Sequence, residues 1–580
     1  AVLFLKSVWA AVYTDPSTLP NAPYTYIIVG AGLGGSVLAN RLSANPNNRV
    51  LLIEAGPSDT VDPFIPVPFL ATTLAPSVVS WNYTTVPQTG LGGRSIAYPR
   101  GRTLGGSTSI NFMVWTRGPA SDFDRLAHVT GDSGWSWNSL RSTLIGVETL
   151  VAPPDGHDTT GEINLAIHCS NGPVKISVQD TTALDSRIFN TTTQLAEFPF
   201  NEDMNSGNPL GIGWTQYSIG GGQRSSASVS YLTPVLSRSN LDILINTQVT
   251  KVVRTGTQGG LPIFRGVEIA QSASGPLFTR NATKEVILAA GAVNTPQLLM
   301  LSGIGDSAQL SQFNIQTIVK LPDVGKNMQD HVVLSNVFSV NSNFTNDDIG
   351  RNPTLFLNDL AQWGQSYTGP FASTATSEIG WLRLPKNATI FKTVNDPSSG
   401  PHAPHYEFIF AFASFVDPPP TTGHFMTIAS NLITPTSRGS ITLASANPFD
   451  APNIDPALLN SDFDIFTIRE GVKAALRFAA APAWKDYVIG PFGALAEAKT
   501  DAQIEAYARN HAATVFHPFS TAFMSPNGSP HGVVNPDFGV KKTVGLRIVD
   551  ASVLPYVPAA HPQAALYAVA ERAAKLIAAN

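Results

Sequence analysis

The chain has 580 residues, 43% hydrophobic and only 13% charged, with 47 Gly and 44 Pro, which describes a loop-rich globular protein too long for one compact core. Its formal net charge of −5 excludes the basic stripe that nucleic acid or an anionic membrane surface would select. A single cysteine, Cys169, excludes an intrachain disulfide and any multi-cysteine zinc site.

The apolar opening, "AVLFLKSVWAAV", is too short to span a bilayer and reads as a mature terminus or the remnant of a targeting segment. "YTYIIVGAGLGGSVLANRL" follows from Tyr24, with a β-branched strand at Ile27, Ile28 and Val29 and a helical pattern after Gly35. Gly30, Gly32 and Gly35 between them are spaced as G-x-G-x-x-G, with Leu33 and Gly34 completing the turn. Gly30 permits the tight turn, Gly32 lets backbone amides approach a pyrophosphate, and Gly35 lets helix and strand pack closely. The phosphate then sits at the positive end of the helix. "RVLLIEAG" is a second buried strand ending at Glu54, whose carboxylate is placed to accept from ribose hydroxyls. The glycine pattern alone is weak; with strand, helix and acid in place it predicts dinucleotide binding.

Long Pro- and Gly-rich loops follow, not regular βαβ units. In "YPRGRTLGGSTSINFMVWTRGP" the amides around Gly105, Gly106 and Ser107 could cradle a second part of an elongated cofactor, although taken alone the segment is an ordinary glycine loop. "DPPPTTG" (Asp417 to Gly423) reads as a stiff surface loop. His402 and His405 lie close together, but no carboxylate pattern completes a metal site, and both read as surface or structural. His517 stands in the apolar run "TVFHPFSTAFMS", as a core histidine or a general base. "LRIVD" is a strand ending at Asp550. "AAHPQAALYAVAERAAKLI" then opens with His561 and puts Pro562 at the first helical position, leaving the amides of Gln563 and Ala564 free at a positive helix end.

Four segments, "VGAGLGGSVLANRL…LLIEAG", "GRTLGGSTSINFMVWTRG", "AAGAVNTPQLLMLSGIG" and "GLRIVDASVLPYVPAAHPQAALYAVAERAAKLI", resemble the glucose–methanol–choline oxidoreductases, and the likeness covers nearly the whole chain. Within that family "WNYTTVPQTGLGGRSIAYPRGR" and "FHPFSTAFMSP" look most like fungal aryl-alcohol oxidases. The resemblance implies an α/β plus α+β fold, in which residues 24–165, 226–330 and 506–580 form a discontinuous Rossmann-like FAD-binding domain. Residues 166–225 and 331–505 would form a substrate domain on an antiparallel sheet flanked by helices. It implies cofactor contacts at Thr103, Gly106, Ser107, Asn111, Phe112, Val114, Val249, Asp550 and Ala551, with Gln563 and Ala564 facing the flavin. His517 would take the alcohol proton, and His561 would hold the alcohol oxygen. Phe112, Phe415 and Phe516 would line a narrow substrate funnel. Noncovalent FAD is expected, since no His or Cys in the glycine loop could tether it. Asn111 and Phe112 depart from the His-Tyr pair of aryl-alcohol oxidases, so the substrate range is expected to differ.

The resulting expectation is oxidation of a primary aromatic or allylic alcohol, with dioxygen reduced to hydrogen peroxide. The alternatives are a relative acting on sugars, choline or other alcohols, or one passing electrons to quinones, or a hydroxynitrile lyase that keeps FAD without redox chemistry. Sequons at Asn82, Asn190, Asn281, Asn343, Asn387 and Asn527 accompany a secreted, extracellular expectation.

Overall fold

Ile27, Ile28 and Val29 lie in the strand Tyr24–Val29, inside an eight-stranded sheet. The computed structural model describes residues 12–579, so nearly all of the apolar opening lies outside the described residues. Val50–Ile53 runs parallel on one side in register Ile27↔Leu51, and Phe278–Leu288 runs parallel on the other with Ile287↔Ile28. Leu241–Leu244 and Val12–Tyr13 extend the parallel part outward from Val50–Ile53. A strand covered on both faces has no polar side to present, so these sequences are continuous apolar runs, not alternating ones. Ile27, Ile28, Leu51 and Leu52 are completely buried, each contributing roughly 1.5–3 kcal/mol.

Phe278–Leu288 joins two kinds of pairing. Its beginning is antiparallel to Leu261–Ala270, with Val267↔Arg280. Its end is parallel both to Tyr24–Val29 and to the late strand Leu546–Ile548, with Ile287↔Arg547. The helix Leu33–Leu42 packs against the last helix, Gln563–Ala578. The earliest and latest parts of the chain therefore form one layer.

The second large sheet is antiparallel and seven-stranded. Its main path runs Val488–Pro491, Val332–Val340, Phe425–Leu432, Tyr406–Ala411, Thr376–Leu382 and Gly211–Gly213. The helix Asp462–Ala479 backs it, started by Ser461, whose hydroxyl accepts from the Asp464 amide at 3.2 Å, and by Asp462 and Asp464 in the first turn. A mixed parallel sheet beside an antiparallel one is the expected fold class.

Two registers of this second sheet position the site. Ala513–Thr514 adds antiparallel to the start of Val332–Val340, with Val332↔Thr514, which brings His331 opposite the segment leading to His517. Glu407 and Asn431 are direct cross-strand partners.

Candidate active site

A cavity of about 560 Å³ runs from the first glycine turn to the two sequence-predicted histidines. At the turn, Gly30 has φ +97°, and a Cβ there would stand 2.5 Å from the Ala289 carbonyl oxygen. A Cβ on Gly34 would overlap the Val549 carbonyl, and one on Gly35 the Gly30 carbonyl. Gly32 differs, since a Cβ there would meet nothing nearer than 3.9 Å. The second glycine turn packs onto it, and a Cβ on Gly106 would come 2.6 Å from the Gly32 Cα. The two turns thus share a wall. The helix Leu33–Leu42 begins there without a side-chain cap, so its first amides remain available to an anion. Glu54 accepts from the Ala31 amide at 2.8 Å and the Gly56 amide at 2.9 Å. Burial raises its pKa, opposed by those amides and by Arg102. Each oxygen retains lone-pair capacity for a hydroxyl. An uncapped helix, two touching glycine turns and this acid fit an elongated dinucleotide.

Leu33, Gly34, Gly106, Ser107, Asn111, Phe112, Val114, Val249, Asp550, Ala551 and Gln563 also line the cavity. Three expected contacts do not. Gly35 sits behind the turn, Thr103 is buried with its hydroxyl donating to the Pro57 carbonyl at 3.0 Å, and Ala564 is buried within the first turn of the last helix. Asp550 reaches the wall, but its carboxylate is engaged by the chain. One oxygen accepts from the Gly291 amide and the Thr295 hydroxyl, the other from the Ser552 amide. Pro562 lies one position earlier than expected, as the N-cap of Gln563–Ala578, and that helix start also lacks a side-chain cap.

At the far end, the His517 and His561 rings stand perpendicular with centroids 5.1 Å apart. His517 follows Phe516, whose backbone is left-handed at φ +65°. Hydrogen bonds hold that turn: the Phe516 amide donates to the Thr514 hydroxyl at 2.6 Å, and its carbonyl accepts from Arg100 at 2.6 Å. Asp330 accepts from the His517 amide at 2.8 Å, from the Thr514 hydroxyl at 2.6 Å and from the Tyr98 hydroxyl. Burial raises the Asp330 pKa to about 6 despite these donors.

Nδ1 of His517 lies 3.0 Å from Nδ1 of His331, a fully buried ring. Burial, then the neighbouring His561, lowers the His331 pKa to about 3, so it is neutral. Nε2 of His331 makes no full hydrogen bond, and the nearby Ile433 carbonyl, an acceptor only, favours an N–H on this ring. With that proton on Nε2, Nδ1 of His331 accepts, so Nδ1 of His517 donates and its Nε2 keeps a lone pair. That is the tautomer a base requires. Burial first, then His561, His331 and Arg100, holds the His517 pKa well below the ordinary imidazole value.

Nε2 of His561 lies 2.8 Å from Glu407, whose other oxygen accepts from Asn431 at 2.7 Å. The carboxylate fixes a proton on Nε2 and leaves Nδ1 as the atom free to meet a ligand. Thr116 accepts from the His561 amide at 2.8 Å. Phe415 and Phe516 are half-buried on the cavity wall, and Phe112 is 41% exposed. Sequence reasoning missed Asp330, His331, Glu407 and Asn431. The one local signal was the polar pair in "NMQDHVVLSNV", entering an apolar strand. His402 is exposed, and His405 is a buried structural residue bonded to Asp396 at 3.0 Å. Among the described residues no group of His, Cys, Asp and Glu could hold a metal ion.

An apolar groove that joins a dinucleotide turn to a pair of imidazoles fits a dinucleotide-dependent oxidoreductase. Family models described as GMC oxidoreductase match residues 24–333 and 435–570, and the chain belongs to that family. It is 40% identical to "Dehydrogenase eriK" of Hericium erinaceus, covering 98% of this chain and 96% of that protein. It is 38% identical to "Pyranose dehydrogenase 3" of Leucoagaricus meleagris, covering 100% and 97%. Among solved structures, a single-residue variant of formate oxidase from Aspergillus oryzae superposes with a TM-score of 0.88 at 28% identity, covering 97% and 99%. The expected likeness to aryl-alcohol oxidases is weaker than the sequence motifs implied. A fungal aryl-alcohol oxidase matches at 26% identity and a TM-score of 0.80, covering 96% and 99%.

Proposed function

We propose that this protein is an FAD-dependent dehydrogenase that oxidises a carbinol of a sugar or related polyol and passes the electrons to an acceptor other than dioxygen. The perpendicular imidazole pair at the end of the cavity carries the reading. The names of two pyranose dehydrogenases at 38% identity over nearly the full length favour sugar dehydrogenation over aryl-alcohol oxidation. Bound FAD supplies the two-electron acceptor. The uncapped helices hold its charged parts, and the antiparallel sheet roofs the groove against water. Nε2 of His517 takes the hydroxyl proton, and Nδ1 of His561 holds the alcohol oxygen. Asn111 stands in the glycine loop where it can form no flavin tether, which supports noncovalent attachment.

The rim of Phe112, Phe415 and Phe516 favours a second reading, oxidation of flat apolar alcohols with dioxygen as acceptor. Anaerobic mixing with sugars, benzylic alcohols and allylic alcohols decides between them, followed by reoxidation with quinone or dioxygen and peroxide detection. The proposal expects bleaching by sugars and reoxidation chiefly by quinone. Bleaching by benzylic alcohols alone, with fast peroxide release, establishes the oxidase. A flavin that no alcohol bleaches, together with cleavage of an added cyanohydrin, establishes the non-redox lyase. All six sequon asparagines are exposed, which supports passage through a secretory pathway and predicts a mass decrease on deglycosylation of the native protein.

A further inference from the structure

Arg224, in the short strand Gln223–Arg224, is 3% exposed and lies behind the glycine loop. Its Nε donates to the Ile65 carbonyl at 2.7 Å. Nη1 donates to the Asn111 carbonyl at 2.6 Å, to Asn111 Oδ1 at 2.8 Å and to the Thr108 carbonyl at 3.3 Å. Nη2 is buried with no partner. Every acceptor is neutral, and among the described residues no carboxylate forms an ion pair with this guanidinium. Burial alone pushes its pKa down, to about 9, which leaves it charged at neutral pH. A buried cation without a counterion is costly, so the fold retains an unbalanced positive potential here.

That potential has a direction. Asn111 Oδ1 accepts both from Arg224 and from the Met113 amide at 3.1 Å, which turns the NH₂ end of the amide away from the cation. That end donates to Gln563 Oε1 at 3.3 Å, and Gln563 in turn donates to the Val114 carbonyl at 2.7 Å. The cation, two side-chain amides and the positive end of the last helix are therefore connected in series. Asn111 and Gln563 line the cavity, whereas Arg224 does not reach it.

We propose that Arg224 is a positioning residue that raises the reduction potential of the bound flavin, through its uncompensated charge and through the Asn111 amide it orients. The inference rests on the FAD reading of the cavity and adds no redox step, since the electrons still come from the carbinol. A positive charge near a cofactor that gains electrons favours its reduced form.

The test compares Arg224→Met, Arg224→Gln and Arg224→Lys with wild type, reading FAD content, the midpoint potential of the bound flavin and its affinity for sulfite. With FAD bound, the two neutral variants are expected to disfavour the reduced form at least about tenfold, equivalent to about 30 mV for a two-electron couple, and to bind sulfite more weakly. Arg224→Lys is expected to keep the wild-type potential. Arg224→Gln can still donate to Asn111, so it carries the comparison should Arg224→Met fail to fold. A neutral variant with an unchanged potential overturns the proposal. So does a lysine variant that falls as far as the neutral ones, or one that loses FAD as they do, because the guanidinium shape and not the charge would then matter. A wild type that holds no FAD overturns instead the reading of the cavity.

Discussion

Nδ1 of His517 shares one hydrogen with Nδ1 of His331, and that contact decides what the opposite nitrogen can do. Because burial holds His517 below the ordinary imidazole pKa, its neutral form persists in acid where a free imidazole, near 6.5, would already be half protonated. The rate of anaerobic flavin reduction should therefore stay on its plateau below about pH 6.5. His517→Ala should lower that rate by about 10²–10⁴-fold with FAD content unchanged. His331→Asn, by removing a buried ring and admitting water, should move the acid limb upward, measured by stopped-flow across pH. An acid limb that does not move would reduce His331 to packing. His517 and His561 were singled out by the family resemblance, since the local pattern around His517 left it a core histidine or a base. Their partners were not, since those contacts span 186 residues for His331 and 154 for Glu407. Only sheet register makes such pairs.

The strand, glycine turn and helix from Tyr24 to Leu42 form an element that sequence spacing nearly determines, because Gly30, Gly34 and Gly35 each answer a separate steric demand. Gly34→Ala would push a methyl group into the Val549 carbonyl. A cost of about 1–3 kcal/mol is expected, seen as a lower melting temperature together with reduced FAD occupancy. Gly146→Ala is the control: it lies in the helix Trp137–Gly146, and a Cβ there meets nothing within 4 Å, so neither quantity should fall. The antiparallel strands were far less legible. Thr376–Leu382 and Tyr406–Ala411 are buried along almost their whole length, so they lack the alternation that marks a half-exposed strand. A helix behind the sheet and the cavity in front remove that signal.

Across the whole molecule, the second sheet contains an acid the proposed chemistry does not use. Glu378 is fully buried, with its carboxyl against that of Asp185. Burial first, and then Asp185, raises its pKa well above the ordinary value of 4.5. A raised folded pKa means that the folded state holds the proton more tightly than the unfolded chain. The associated stability is complete below about pH 4.5 and is lost as pH rises toward the folded value. Glu378→Gln, which keeps the shape without the ionisation, should therefore melt progressively higher than wild type as pH is raised from about 5 to 8. Equal melting temperatures throughout that range would show that Glu378 is ionised in the fold. The two-sheet architecture itself was legible only through scattered motifs, because its parts are contributed by distant stretches of chain.

The late strand Leu546–Ile548 completes the first sheet, and the last helix packs on the helix of the glycine turn. A ribosome that has not yet reached these segments has made a polypeptide without one strand of its nucleotide layer and without the second imidazole. On the proposed reading, such a chain lacks the atom that holds the alcohol oxygen and part of the wall that encloses FAD.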